Sequence, residues 1–218
     1  MQVSASTNPP KEENLLDYVK LVTKSGVDFI HCDVMDGVLV EAKTYDYSFL
    51  PQIKKSTSLP LDVHIMVHNP KQVYKKYITN GANILSVHFE CFKREQELIN
   101  VLKDIKNLGC IPSIAVEIST PIEKVFSVLK YCQNVLLMSV KIGKSGQKFD
   151  DLVLSKVQKL KKFVDDNNLN ITIEVDGGVN AQNIKQLENL GVSCVVVGGY
   201  LFNAQDKIDA VSRLKNNT

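Results

Sequence analysis

The sequence predicts an α/β fold, a (β/α)8 TIM barrel formed as a single domain over residues 1–218, and three observations carry that reading. Short apolar-rich stretches alternate with amphipathic stretches of helical length along the whole chain, the pattern of parallel strands joined by helical crossovers. The 218 residues suit one closed barrel of eight such units. The second, third, fourth and seventh strands are apolar on one face only. Central strands of an open doubly wound sheet are covered on both faces and read as continuous apolar runs, whereas a barrel lumen and its mouth accommodate a polar face.

The elements follow in order. Val3–Ser6 is the first strand, broken by Asn8-Pro9-Pro10. Leu15, Leu16, Val19, Leu21 and Val22 give helical spacing over Glu12–Ser25, which Gly26 stops. The second strand, Phe29–Val34, is followed by a loop, a short helix over Tyr47–Lys55 and the third strand, Leu61–Met66. Asn69-Pro70 opens a helix that runs to Gly81, and Ile84–Phe89 is the fourth strand. Helix Lys93–Leu108, strand Ile111–Val116, helix Pro121–Lys130 and strand Val135–Val140 continue the alternation. A glycine-rich loop, Gly143 to Gly146, leads to helix Leu152–Val164 and strand Ile171–Asp176. After Gly177-Gly178, Asn180 is placed to cap a helix running through Leu190, and strand Val192–Val197, Gly198-Gly199 and helix Asp206–Lys215 complete the eight repeats.

Composition narrows the function classes. Lys and Arg total 26 against 24 Asp and Glu, a formal net charge of +2, so no field of one sign points to nucleic acid or to a membrane surface. The lysines are spread along predicted helices as solvated faces. Five cysteines, an odd number without a C-x-x-C pair, predict reduced thiols rather than a disulfide framework, with Cys32 and Cys194 in the core. Met1 to Ser6 lacks a basic region followed by an apolar run, and no stretch approaches the length of a membrane span. The expectation is a soluble, cytoplasmic protein.

Side chains alternate between the two faces of a strand, so His31, Asp33 and Met35 share one side of the second strand and Ile30, Cys32 and Val34 the other. The third strand repeats this, with Asp62, His64 and Met66 opposite Leu61, Val63 and Ile65. In the fourth, Ser86, His88 and Glu90 oppose Leu85, Val87 and Phe89; in the seventh, Thr172, Glu174 and Asp176 oppose Ile171, Ile173 and Val175. A His and an Asp two residues apart also suit an ordinary internal hydrogen bond. Barrel active sites form at the C-terminal strand ends, however, and His31, Asp33, His64 and Asp176 all lie there on the inward face. Two imidazoles and two carboxylates converging on one point make a divalent metal site suited to zinc, iron(II), cobalt or manganese. His88 is expected as a satisfied core histidine and His68 at the surface.

Of the four methionines, Met35, Met66 and Met138 fall near C-terminal strand ends. Methionine commonly fills core gaps; three together suggest a polarizable floor beneath a planar intermediate. Gly143 and Gly146, Gly177-Gly178 and Gly198-Gly199 follow the last three strands, where barrels of this kind place a phosphate, although any one pair suits a tight turn equally. Gly143-Lys144-Ser145 has the ending of a nucleotide P-loop, but that motif requires glycine where Met138 stands. A sugar phosphate is the expected ligand. Lys144 is a possible extra cation there, but a loop lysine is more often merely solvated, and it is not counted among the site residues.

His31-Cys32-Asp33-Val34-Met35-Asp36-Gly37, Leu61-Asp62-Val63-His64-Ile65-Met66, Met138-Ser139-Val140 with Gly146-Gln147-Lys148-Phe149, and Glu174-Val175-Asp176-Gly177-Gly178 resemble the signatures of the ribulose-phosphate 3-epimerase family, essentially from end to end. The resemblance implies Asp33 and Asp176 as paired acid and base, and His31, Asp33, His64 and Asp176 as ligands of one divalent metal ion. It further implies Ser6, His64, Met35, Met66 and Met138 against the substrate, and a homo-oligomer. The implied reaction is inversion at C3 of a ketose phosphate, D-ribulose 5-phosphate to D-xylulose 5-phosphate, through an enediolate stabilised by the metal. A D-allulose 6-phosphate 3-epimerase needs the same groups and a longer sugar pocket; a barrel that binds a sugar phosphate without turning it over is the other alternative. Val38-Leu39-Val40-Glu41-Ala42 stands where the family has His-Phe-Val-Pro-Asn, Lys141-Ile142-Gly143-Lys144-Ser145-Gly146-Gln147 where it has Asn-Pro-Gly-Phe-Gly-Gly-Gln, and Gly199-Tyr200 where it has Ser and a small residue. These differences spare every implied metal ligand and fall around the substrate.

Overall fold

The computed structural model describes residues 1–8 and 14–216. Eight parallel strands close into a barrel: β1 (Gln2–Ser6), β2 (Phe29–Met35), β3 (Leu61–Met66), β4 (Ala82–His88), β5 (Ile111–Val116), β6 (Asn134–Met138), β7 (Thr172–Asp176) and β8 (Cys194–Val197), the last pairing back onto the first. Outside them lie α1 (Leu15–Thr23), α2 (Leu50–Ser56), α3 (Pro70–Thr79), α4 (Glu95–Asn107), α5 (Leu152–Asp166), α6 (Ile184–Asn189), α7 (Gly199–Asn203) and α8 (Lys207–Asn216). The described residues thus form the expected (β/α)8 barrel, and among them no helix is long and apolar enough to cross a membrane.

The strand alternation separates two interiors. Ile30, Cys32, Val34, Leu61, Val63, Ile65, Ile173 and Val175 face outward and pack with helix residues such as Leu15, Val19, Leu98, Leu102 and Leu160 in one continuous apolar shell. Each such side chain contributes about 1.5–3 kcal/mol on burial, so this shell is the main stabilising layer. The lumen is instead largely polar: Ser4, His31, Asp62, His64, Ser86, Ser113, Asn134 and Glu174 are all buried there. Parallel register sets Asp33 beside His64, His31 beside Asp62, and Met35 beside Met66.

Several elements differ from the sequence expectation. The stretch after β5 is a 3₁₀ helix, Ile122–Tyr131, rather than an α-helix. Its apolar residues Ile122, Val125 and Val128 recur every third position, the period of a 3₁₀ helix, and all three are buried. The helix expected over Tyr47–Lys55 divides into a 3₁₀ turn, Tyr47–Phe49, and α2. Asn180 does not cap α6; its carboxamide oxygen accepts from Gln182 N–H at 2.8 Å in a preceding turn, and Asn183 is the residue before the helix. Pro9, Pro10 and the first residues of the helix expected from Glu12 lie outside the described residues.

Candidate active site

Three strand ends bring the four predicted ligands to one place. His31 and Asp33 come from β2, His64 from β3 and Asp176 from the last position of β7. Asp33 Oδ1 lies 3.4 Å from His31 Nε2 and 3.3 Å from His64 Nδ1. Asp176 Oδ2 lies 3.8 and 3.9 Å from the same two nitrogens. One ligand atom from each residue falls within 4.8 Å of all the others. His31 Nε2 and His64 Nδ1 are buried and have no hydrogen-bond partner among the described residues, an arrangement that is costly unless something else fills the space between them. Metal bonds of about 2.1 Å at tetrahedral angles set ligand atoms about 3.4 Å apart. Two orphaned imidazole nitrogens and two carboxylates at this spacing fit one divalent ion.

Each histidine uses its other nitrogen to hold its orientation. Asp62 faces His31 Nδ1 at 2.5 Å and accepts from the Ser4 hydroxyl at 3.0 Å. His64 Nε2 lies 2.8 Å from His88 Nε2. Ser6 donates to Asp33 Oδ2 at 2.7 Å, so the serine that the resemblance assigns to the substrate also steadies this carboxylate. Ser139 ties the end of β7 to the loop after β6, donating its amide to the Asp176 carbonyl at 2.8 Å and its hydroxyl to the same oxygen.

The electrostatics separate the two carboxylates. Burial acts to raise the pKa of Asp33, but the imidazoles of His31 and His64 outweigh it and hold this carboxyl well below the usual range. Asp176 is pushed up to about 7 by burial, with repulsion from Asp33 adding to the rise. Burial likewise opposes charge on His31, yet Asp62 and Asp33 hold its pKa well above the ordinary imidazole value, whereas burial lowers that of His64. Neighbouring carboxyls with separated pKa values are the arrangement that divides acid and base roles.

A cavity of about 1070 Å³ opens over these groups, lined by Ser6, Asp33, Met35, Met66, Met138 and Asp176. His31 and His64 lie beneath it with no exposed surface. Met35, Met66 and Met138 cluster with Val140, Ile142 and Val196, and Leu39 and Val40 pack against them, so the three methionines meet in one apolar cluster continuous with two loops. All six predicted glycines, Gly143, Gly146, Gly177, Gly178, Gly198 and Gly199, line the same cavity. They are not equivalent. Gly177 and Gly178 have φ of +118° and +61°, and a Cβ on Gly178 would come within 2.4 Å of the Phe149 amide nitrogen. Gly178 is seated on the Lys148–Phe149 backbone, whereas a Cβ on Gly177 would strike the side chains of Val140 and Ser139. A Cβ on Gly143 would lie 2.7 Å from Val40, and one on Gly146 would meet nothing within 4 Å.

Cys32 and Cys194 are buried and His68 is exposed, as expected. His88 is a fully buried histidine with both ring nitrogens engaged; the sequence does not reveal that one partner is His64. Asp62 and Glu174 also received no role from sequence. Their position on the inward face of β3 and β7 was the available signal, and both prove to be buried lumen groups, Glu174 accepting from Asn134 at 2.7 Å.

Residues 2–202 match the model of the Ribulose-phosphate 3 epimerase family. A ribulose-phosphate 3-epimerase from Aquifex aeolicus is 37% identical over 197 residues, covering 90% of this chain and 87% of that protein. One from Helicobacter pylori is 40% identical over 192 residues, covering 88% and 87%. Among solved structures, a 3-hexulose-6-phosphate synthase superposes with a TM-score of 0.70 at 16% identity, covering 100% of this chain and 99% of that one, a likeness of fold. With the family match spanning the metal-type cluster, the methionine cluster and the glycine loops together, the chain belongs to the ribulose-phosphate 3-epimerase family.

Proposed function

We propose that the protein interconverts D-ribulose 5-phosphate and D-xylulose 5-phosphate by proton transfer at C3. The observation that carries this reading is the meeting of Asp33 and Asp176 with two orphaned imidazole nitrogens at the floor of one cavity, in a chain of this family. His31, Asp33, His64 and Asp176 would hold a divalent ion, zinc, iron(II), manganese or cobalt, whose Lewis acidity stabilises negative charge developing on the substrate oxygens.

The chain's own groups supply the proton chemistry. The C3 hydrogen is acidic because the adjacent C2 carbonyl accepts the charge as an enediolate. One aspartate removes the proton and the other returns one to the opposite face, which inverts the centre. Asp33, kept ionised by its imidazole neighbours, is ready to accept a proton. Asp176, raised to about 7 before any metal is bound, has the higher proton affinity of the two and is the one suited to hold the proton that is returned. Met35, Met66 and Met138 offer the planar intermediate an apolar, polarizable surface. The loops of Gly143, Gly146, Gly177, Gly178, Gly198 and Gly199 bound the same cavity and supply the backbone surface for the phosphate.

A coupled assay of five- and six-carbon ketose phosphates, with metal analysis of the same sample, tests the reading. Turnover of the pentulose phosphates, lost on chelation and restored by a divalent ion, is the expected result. Turnover confined to D-allulose 6-phosphate would assign the enzyme to the six-carbon sugar, and binding without turnover by metal-loaded protein would make it a sugar-phosphate-binding barrel. We further propose that residues 1–218 form one domain and that the protein works as a cytoplasmic homo-oligomer, which light scattering and fractionation test; five free thiols agree with a reducing compartment.

A further inference from the structure

The two histidines at the site are held by different devices. His31 has a carboxylate, Asp62, directly on its Nδ1. His64 has a second imidazole: its Nε2 lies 2.8 Å from His88 Nε2, and His88 Nδ1 lies 3.2 Å from Glu90 Oε2. The line continues outward, because Glu90 Oε1 accepts the Glu117 amide at 2.9 Å and the Lys156 ammonium donates to the Glu117 carbonyl.

Hydrogen-bond accounting fixes where the protons sit. Ionised Glu90 only accepts, so His88 carries its proton on Nδ1 and presents a lone pair at Nε2. The contact between the two Nε2 atoms holds one proton, which must therefore belong to His64. His64 is then protonated on Nε2, and its Nδ1, the atom facing Asp33 and Asp176, carries the lone pair. Without this line the other tautomer has a ready acceptor, since Asp33 Oδ1 stands 3.3 Å from His64 Nδ1, and a proton there would block coordination.

We propose that His88 and Glu90 are positioning residues that lock His64 in its Nε2–H tautomer and so keep Nδ1 available to a metal. The metal half of this inference rests on the function proposed above; the tautomer half does not. The test therefore begins with metal-free protein, in which the two-bond nitrogen–proton couplings of labelled histidine report the tautomer directly. Wild-type His64 should be the Nε2–H form. His88→Phe, which fills the space but accepts nothing, should shift His64 towards the Nδ1–H form and weaken zinc binding, measured by chelator competition, by about 10–100-fold. His88→Gln, whose carbonyl accepts from His64 while its amide donates to Glu90, should restore much of both. Glu90→Gln, at a partly exposed position, should weaken zinc binding without unfolding the barrel.

A His64 tautomer that is Nδ1–H in the wild type, or that is unchanged in both His88→Phe and Glu90→Gln, would overturn the proposal. Equal loss of stability in His88→Phe and His88→Gln with the tautomer intact would reduce His88 to packing and overturn it as well. If wild-type protein keeps the Nε2–H form yet takes up no zinc, iron(II), manganese or cobalt, the metal reading fails and the tautomer lock stands.

Discussion

The wall formed by β2 and β3 and the loops that follow β6, β7 and β8 border one cavity, but different physics positions their residues. On the wall, register places Asp33 beside His64 and His31 beside Asp62, and the side chains are buried among partners that leave little freedom. On the loop side, position depends on backbone shape and on which loop touches which, as where Gly143 abuts Val40 and Gly178 abuts Phe149. The wall serves chemistry, which tolerates little displacement. The loops serve recognition, and they carry two of the three differences from the family pattern, the third lying at Val38–Ala42 after β2.

The largest expected effect falls where the two regions meet, at the aspartates. Asp33 belongs to the wall, and Asp176 is the last residue of β7, where the loop side begins. Replacing either with Asn removes one proton carrier, and epimerisation should fall by about 10²–10⁴-fold in each variant. The surviving carboxylate still faces one epimer. In deuterated water, with metal occupancy measured because Asn is a weaker ligand, Asp33→Asn and Asp176→Asn should exchange the C3 hydrogen of opposite epimers. One variant dead for all exchange beside another near normal would show a single base and refute the pairing of wall with loop.

The next prediction uses the difference in proton affinity between those carboxylates. Burial pushes Asp176 up to about 7 in the metal-free protein, so below that pH a metal competes with its proton. Affinity should then drop about tenfold per pH unit as pH falls from 7 towards 5, and more steeply if His31 also releases one. The folding linkage has the matching sign. A carboxyl raised above its unfolded value of about 3.9 contributes stability that is present at low pH and lost as pH rises towards 7. Metal-free protein should accordingly lose stability between about pH 4 and pH 7 through this group, and bound metal should reverse the trend. Affinity independent of pH across this window would mean that Asp176 is ionised throughout and no different from Asp33.

The wall was the legible region. Period-two alternation in Phe29–Met35 and Leu61–Met66 is enough to put His31, Asp33 and His64 on one face, and the structure keeps that face inward. Depth was not legible: nothing in the spacing says that Asp62 bonds His31 or that His88 bonds His64, because those contacts cross between strands and depend on barrel closure. The loops were legible as glycine clusters only. That Gly178 is required by the Phe149 backbone, whereas a side chain at Gly146 would meet open space, follows from tertiary contacts. The 3₁₀ helix at Ile122–Tyr131 is not legible because its three-residue apolar period also fits one face of an α-helix.

Gly178→Ala and Gly146→Ala sharpen this contrast within the loops. Both positions have positive φ, so alanine carries a backbone cost of about 1 kcal/mol at each. Only at Gly178 does the added Cβ also strike backbone, which must shift the Lys148–Phe149 segment. Gly178→Ala should raise the KM of the phosphorylated ketose several-fold and leave metal content unchanged, with Gly146→Ala close to wild type. Equal effects of the two substitutions would mean that conformation alone, not contact with the loop after β6, governs this side.

The smallest effect on turnover is expected at Lys156, where α5 grips the segment after β5 from outside the barrel. This lysine lies on α5, is 7% exposed, and donates to the carbonyls of Glu117 and Ile118 beyond β5. Burial lowers its pKa to about 8, against about 10.4 in an unfolded chain. Between those values the unfolded state binds more protons than the native state, so stability attributable to Lys156 rises with pH. Lys156→Met removes that titration while filling similar volume. Urea unfolding from pH 8 to 10.5 should therefore show the wild type gaining on the variant, by at most about 3 kcal/mol over the window, while turnover changes by less than about twofold because the lysine reaches the site only through a backbone carbonyl and three further contacts. A stability difference that stays flat with pH would show that the ammonium is as well solvated here as in the unfolded chain. A large fall in turnover would instead make this outer contact part of the wall's control over His64.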